Sequence, residues 1–164
     1  MSFVGSYVWK LRQALGSQPI LMPGVGLILV NNEGLLHLGK RAHGGEWSYM
    51  GGSVEIGASI MDTVIAEMEE ETGVRTVPED WTFIGIHSDP AETTYTYPNG
   101  DVVQIINHMF VKTHNEPLQN GEDEEHTEFG LFALNNLPTP MKPDALISLK
   151  LYQAFLQTGK VQVK

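Results

Sequence analysis

The chain contains no cysteine, which excludes disulfides and thiolate metal sites and suits a reducing, cytoplasmic setting. It is also poor in bases. Ten lysines and arginines face twenty aspartates and glutamates, a formal net charge of -10. Such a surface repels a phosphate backbone, so duplex nucleic acid is not an expected partner. An anionic small molecule stays compatible where bound cations reverse the local charge. A long hydrophobic run is missing too: the longest apolar stretch, Pro19–Val30, is interrupted by Pro23, Gly24 and Gly26. It is too short and too broken to span a bilayer, so no membrane association is expected. The chain opens with no basic leader before an apolar segment, and it holds no internal repeat or low-complexity tract. It has no Gly-x-Ser-x-Gly elbow, no Walker loop and no His-Glu-x-x-His motif.

What is present suits one domain over residues 1–164. A hydrophobic fraction of 41% over 164 residues is enough for one core. Val4, Val8, Leu11 and Leu15 recur at helical spacing and Gly16 stops them, so residues 1–16 form a short amphipathic helical segment. That helix is expected to pack on the domain or on a second subunit. Gly24–Val30, apolar on both faces, reads as a central covered strand. The Asn31–Gly34 turn returns it as a hairpin through Leu35–Arg41. A glycine-rich connection from Gly44 to Gly52 follows. Ser59–Thr72 reads as a helix with Ser59 as N-cap, Asp62 at N3 and Gly73 at C′. Trp81–His87 and Val102–Thr113 read as strands, joined through a turn region at Tyr95–Gly100. After the acidic stretch Glu122–Glu128 comes a strand at Phe129–Leu134. A last helix over residues 142–158 opens near Pro143 and ends at Gly159. This order of elements predicts an α+β fold, or three α/β/α layers around a mixed sheet.

The second helix carries the unusual feature. Residues 67–71 read Glu-Met-Glu-Glu-Glu. At about 100° per residue, Met61, Val64, Ile65 and Met68 make the buried stripe, and Glu67, Glu70 and Glu71 fall together beside it. Glu69 projects elsewhere. Like charges at these spacings each cost a helix about 0.2–0.5 kcal/mol. Acids in the last turn also oppose the helix dipole, by roughly 0.3–1 kcal/mol each. Two readings of the glutamates stand side by side: a solvated acidic face, and a site whose repulsion a divalent cation removes. Oxygen donors without cysteine or histidine favour a hard ion, Mg²⁺ or Mn²⁺.

The spacing from Gly52 to Val74 resembles the Nudix box: glycine, five residues, glutamate, seven residues, then Arg-Glu-apolar-x-Glu-Glu-x-Gly-apolar. The chain supplies Gly52, Glu67, Met68, Glu70, Glu71, Gly73 and Val74 in register. Gly45-Glu46-Trp47, Tyr97–Asp101, Phe132 and Leu137-Pro138 extend the resemblance to MutT-like bacterial members, over roughly Pro23 to Pro138. Three positions depart. Ala58 replaces the first glutamate, Ala66 the arginine, and Met50 the proline before the paired glycines. In the family that arginine helps orient the neighbouring glutamate, here Glu67, and Arg41 and Arg75 are the candidates to substitute for it.

The resemblance implies a Nudix-type α/β/α sandwich and a hydrolase that cleaves a pyrophosphate bond in a nucleoside diphosphate-linked or nucleotide-like substrate. It implies Mg²⁺ or Mn²⁺ held by Glu67, Glu70, Glu71 and the Gly51 carbonyl. It further implies an attacking water whose proton goes to Glu67 or to an acid of the Glu122–Glu128 stretch. There Glu125 ranks ahead of Glu128, and Glu67, Glu70 and Glu125 form the catalytic set. Arg41 on a substrate phosphate, Glu55 on metal or substrate, and Tyr95 stacking on a base or ribose complete the expected site. Each of these three has a plain surface or packing reading beside it. Tyr97 is a weaker stacking candidate, Trp47 reads as structural, and His37 and His108 read as packing residues. Similar proteins are commonly homodimers. The alternative is a catalytically weak Nudix-like nucleotide-binding or regulatory module, which Ala58 and Ala66 favour. A purely structural acidic domain is the third reading.

Overall fold

The computed structural model describes residues 4–97, 99–121 and 125–164. Helix α1 (Tyr7–Leu15) precedes strands β1 (Ile20–Val30), β2 (Leu36–Arg41) and the short β3 (Trp47–Ser48). Helix α2 (Ile60–Thr72) leads to β4 (Thr82–His87), the one-turn helix α3 (Pro90–Thr93), β5 (Thr94–Thr96) and β6 (Val102–Thr113). Strand β7 (His126–Phe132), helix α4 (Pro143–Thr158) and β8 (Gln162–Val163) complete the chain. One mixed sheet runs in the order β3-β2-β1-β6-β4-β8, with β5 added beside β6 and β7 beside β2.

Alternation along β1 splits the core in two. Val25, Leu27 and Leu29 join Val64 and Met68 of α2, with Phe110, Trp81 and Leu118. On the opposite face Ile28 joins Met109, Tyr49 and Trp47 beneath Ala145, Leu149 and Tyr152 of α4. A strand covered on both faces needs apolar residues at consecutive positions, which is what this run provides. Each fully buried Leu or Ile side chain contributes about 1.5–3 kcal/mol relative to exposure.

Two strand boundaries differ from the sequence reading. β1 starts at Ile20 rather than Gly24, because parallel pairing with β6 runs from Ile20↔Val103 to Val30↔Thr113. Pro23 lacks a ladder donor and so marks a break in the sequence, but its carbonyl still accepts from Val54 N–H and the strand continues through it. β7 covers His126–Phe132 rather than Phe129–Leu134, because β2 recruits it through Arg41↔His126. Glu128, expected in an acidic connection, is therefore a strand residue paired with Lys40 at 3.9 Å. Glu122, Asp123 and Glu124 of that connection, and Pro98 of the Tyr95–Gly100 turn, lie outside the described residues.

β1 changes its antiparallel partner part-way along. It pairs with β2 at Leu29↔His37 and Val30↔Leu36. Below that point the glycine-rich segment takes over. Leu27 N–H donates to Met50 O at 2.9 Å, Val25 N–H to Gly52 O at 2.9 Å, and Val54 N–H to Pro23 O at 3.1 Å. This exchange sets Gly51 and Gly52 against the middle of the sheet.

Helix α2 starts in the expected capping box. Asp62 N–H donates to Ser59 Oγ at 3.1 Å, and Ser59 N–H donates to Asp62 Oδ2 at 3.0 Å. Gly73 closes the helix in the left-handed conformation. Helix α1 buries no side chain completely and is held largely by polar contacts. Arg12 donates to Val102 O at 2.6 Å and stands 3.5 Å from Asp101. Among the described residues no helix is long and apolar enough to cross a membrane. Replacing Ser59 by alanine removes a cap worth about 1 kcal/mol; thermal denaturation should show a melting temperature lower by about 2–4 °C, with unchanged circular dichroism below the transition.

Candidate functional site

The site is built where α2 passes under the glycine-rich segment. Gly51 holds φ 142°, and a Cβ there would run into the Val25 carbonyl, so the close approach to β1 needs glycine. Gly52 has a different reason. A Cβ on it would fall on the Glu67 carboxylate, so the bare backbone leaves that carboxylate its space. The segment then turns one N–H back toward α2. Gly51 N–H donates to Glu71 Oε2 at 3.0 Å.

Glu71 is 2% exposed, while Glu67 is half-buried and Glu70 exposed. The three glutamates expected to share one face are thus graded from core to solvent. The apolar stripe rotates with them: Val64 and Met68 are buried, Met61 and Ile60 lie at its edge, and Ile65 is half-buried. The second oxygen of Glu71 meets β2, where Arg41 Nη1 stands 3.3 Å from Glu71 Oε1 and 2.8 Å from Glu125 Oε2. Glu125 is itself tied to the sheet, its carbonyl accepting from Ala42 N–H at 2.8 Å. Asn120 Nδ2 anchors the next residue by donating to His126 O at 2.6 Å.

Burial raises the Glu71 carboxyl well above its ordinary range; Glu67 adds to the rise, and Arg41 and the Gly51 N–H oppose it only in part. At Glu71, then, the charge of Glu67 weighs more than that of Arg41. Behind it, the buried His126 ring packs over Gly39, and neither ring nitrogen has a hydrogen-bond partner among the described residues. Burial and Arg41 lower its pKa to about 4, so it is neutral at pH 7.

The structure brings Glu67, Glu71, Gly51, Arg41 and Glu125 together. It uses Glu55 and Tyr95 otherwise. Both Glu55 carboxylate oxygens accept from Tyr7 N–H, at 3.1 and 2.9 Å, so Glu55 caps the start of α1. Tyr95 stands opposite Val103 in the β5–β6 pairing, and its hydroxyl donates to Glu92 O at 3.3 Å. Burial and the charge of Asp144 raise its pKa, which places it toward α4 rather than α2. Of the two arginines weighed as substitutes for the missing one, Arg75 pairs on the surface with Glu69 at 2.7 Å, and Arg41 is the one that reaches a carboxylate of the site. The rings of His108 and His37 each reach a backbone carbonyl. His108 Nδ1 lies 3.1 Å from Gly24 O, and His37 Nε2 lies 2.9 Å from His114 O.

This geometry coincides with a family match. The NUDIX domain family matches residues 20–155. The chain belongs to the Nudix family. An ADP-ribose pyrophosphatase of Methanocaldococcus jannaschii is 34% identical over 88 residues, 54% of this chain and 46% of that protein. An RNA pyrophosphohydrolase of Hydrogenovibrio crunogenus is 36% identical over 67 residues, 41% of this chain and 39% of that protein. The matched segments span less than half of either relative. The crystal structure of a MutT NUDIX hydrolase from Burkholderia pseudomallei superposes with a TM-score of 0.65 at 23% identity, covering 80% of this chain and 98% of that one. The Nudix fold expected from the box spacing is the fold observed.

Nudix hydrolases generally use divalent metals, and the donor set here fits one. Among the described residues no three carboxylates or imidazoles already converge on a single point. The fit rests instead on the chemistry of the group: carboxylate oxygen donors, one of them buried, beside a bare glycine backbone.

The raised Glu71 pKa gives a signed prediction. The folded state holds this proton where the unfolded chain, near 4.5, has released it, so metal-free stability falls as pH rises above that value. Glu71→Gln removes the penalty. In EDTA its melting temperature should exceed wild type at pH 7–8, by about 2–4 °C for each kcal/mol, with the two converging below about pH 4.5.

Proposed function

We propose that this Nudix protein is a metal-dependent hydrolase that cleaves a pyrophosphate bond in a nucleoside diphosphate-linked or nucleotide-like substrate. The observation that carries the reading is the buried Glu71, held between the Gly51 N–H and Arg41 while Glu67 lies over Gly52. A fold maintains such carboxylate crowding at a cost that a divalent cation offsets.

Glu67, Glu70 and Glu71, with the Gly51 carbonyl, would hold Mg²⁺ or Mn²⁺. The bound ion supplies charge neutralisation on the pyrophosphate oxygens and a lowered pKa for attacking water. The chain's own residues do the rest. Arg41, with its guanidinium between Glu71 and Glu125, ties both carboxylates to β2 and remains 30% exposed, open to an incoming phosphate. Glu67 or Glu125 takes the proton of the attacking water. The two curated relatives, an ADP-ribose pyrophosphatase and an RNA pyrophosphohydrolase, support a pyrophosphate flanked by a nucleoside.

The test is turnover of ADP-ribose, nucleoside triphosphates, sugar nucleotides and dinucleoside polyphosphates with Mg²⁺ or Mn²⁺, for wild type and Glu67→Gln. Metal-dependent hydrolysis by wild type is expected, with kcat reduced by about 10²-fold or more in the variant. Metal and nucleotide binding without turnover across the panel would replace this reading with the binding module that Ala58 and Ala66 permit. Metal binding itself should raise the melting temperature by mass action, and no shift in either metal would sink both.

A further inference from the structure

The connection from β6 to β7 docks on the glutamate helix through its main chain. Leu118 is buried and joins Val64 and Met68 of α2 in the core. Three residues on, Gly121 N–H donates to Glu71 O at 3.0 Å. The last carbonyls of a helix have no partner within it. At the end of α2, Gly73 N–H takes Glu69 O and Gly121 N–H takes Glu71 O.

Position 121 has to be bare for this contact. A Cβ there would run into the carbonyl oxygens of Glu69 and Glu70. Its φ lies outside the left-handed region, so glycine is needed here for the approach of one backbone to another and not for a turn. Gly51 is kept bare by β1, and Gly121 by α2.

The sheet holds the other end. Asn120 Nδ2 donates to His126 O at 2.6 Å, and Ala42 N–H donates to Glu125 O at 2.8 Å. The His126 ring fills the space that Gly39 leaves open and lies 5.0 Å from the Phe129 ring, which seats this end of β7 against β2. Glu125 Oε2 meets Arg41 Nη1 at 2.8 Å, and the same nitrogen stands 3.3 Å from Glu71 Oε1. The contacts close a ring. It leaves the Glu71 main chain through Gly121 and Asn120, passes to His126 and Glu125, and returns through Arg41 to the Glu71 side chain. Glu125 is 22% exposed and Arg41 30%, so the ring reaches solvent at this carboxylate and guanidinium.

We propose, on the reading that Glu125 takes the proton of the attacking water, that Asn120 and Gly121 are positioning residues that hold the Glu125 carboxylate in register with Glu71. Asn120 ties the main chain beside Glu125 to the connection, and Gly121 ties the connection to the helix that carries Glu67, Glu70 and Glu71. An ion pair to Arg41 alone would leave two long side chains free to swing together; anchoring the main chain removes that freedom. Register matters because a displacement of about 1 Å in a reacting group costs on the order of 10²-fold in rate.

Two measurements test this: amide hydrogen exchange of the metal-free protein, and kcat and KM with Mg²⁺ on the substrate panel above. The Ala42 amide, which donates to Glu125 O, should exchange about 2- to 10-fold faster in Asn120→Ala than in wild type. Asn120→Gln keeps an amide donor and should return it toward the wild-type rate. Asn120→Ala and Gly121→Ala should each lower kcat by about 10- to 100-fold with KM changed by less than about 2-fold. Gln119→Ala, at an exposed neighbour, should leave kcat as it is. In a Glu125→Gln background Asn120→Ala should cost little further, because it acts through that carboxylate. A connection that only stabilised the fold would cost the same in both backgrounds. That result, Ala42 exchange unchanged in Asn120→Ala, or a kcat indifferent to Glu125→Gln would overturn the proposal. The two readings fail separately. Hydrolysis with unchanged Ala42 exchange removes the clamp alone, and faster exchange in Asn120→Ala with no hydrolysis by wild type keeps the clamp and removes the hydrolase.

Discussion

Strand β1 cannot satisfy its outer edge with β2 alone, and the rest of the site depends on how that edge is completed. Backbone donors buried in a sheet must be paired, and β2 diverges after pairing with Leu29 and Val30. Met50 and Gly52 accept from Leu27 and Val25 instead. The price is a backbone so close to β1 that position 51 cannot carry a side chain. The return is a bare loop pinned in the middle of the molecule, with one N–H turned toward Glu71 and room above Gly52 for Glu67.

Around that loop the charges are arranged in depth. Glu71 lies in the core layer of α2, Glu67 at its edge and Glu70 in solvent. Arg41 reaches in from the sheet and joins Glu71 to Glu125. With alanine at position 66, α2 brings no arginine of its own at that place. An arginine from β2 contacts a carboxylate of the same group, so a positive charge is still present but comes from a different element. His126, neutral and buried nearby, packs beside this arginine without adding a second positive charge.

The two faces of the sheet are polar in different ways. The α2 face carries the carboxylates. The α4 face carries Tyr49, Ser148, His87 and Asn107, joined by hydrogen bonds. Glu55 and Tyr95, both expected as substrate contacts, have other partners in the structure, for different reasons. Glu55 lies near the box in sequence, but its carboxylate is taken by the free N–H at the start of α1, a common partner for an acid. Tyr95 belongs to a hairpin that carries it to the α4 side.

Features that depend on neighbours a few residues apart are legible in the chain alone. Ser59 and Asp62 cap α2 because they are three residues apart. The i, i+3 and i+4 spacing of Glu67, Glu70 and Glu71 put them on adjoining faces, and the two-sided apolar run of β1 required covering layers. Those local rules, with the box spacing, were enough for the family and the α/β/α plan. Contacts between distant residues come from the folding of the whole sheet. Arg41 and Glu71 lie 30 residues apart, Tyr49 and Asn107 58, and Tyr49 and Ser148 99. Helix periodicity cannot say which oxygen of a carboxylate is buried. That follows from which strands pair, and pairing is settled by satisfying every buried backbone group across the whole sheet at once.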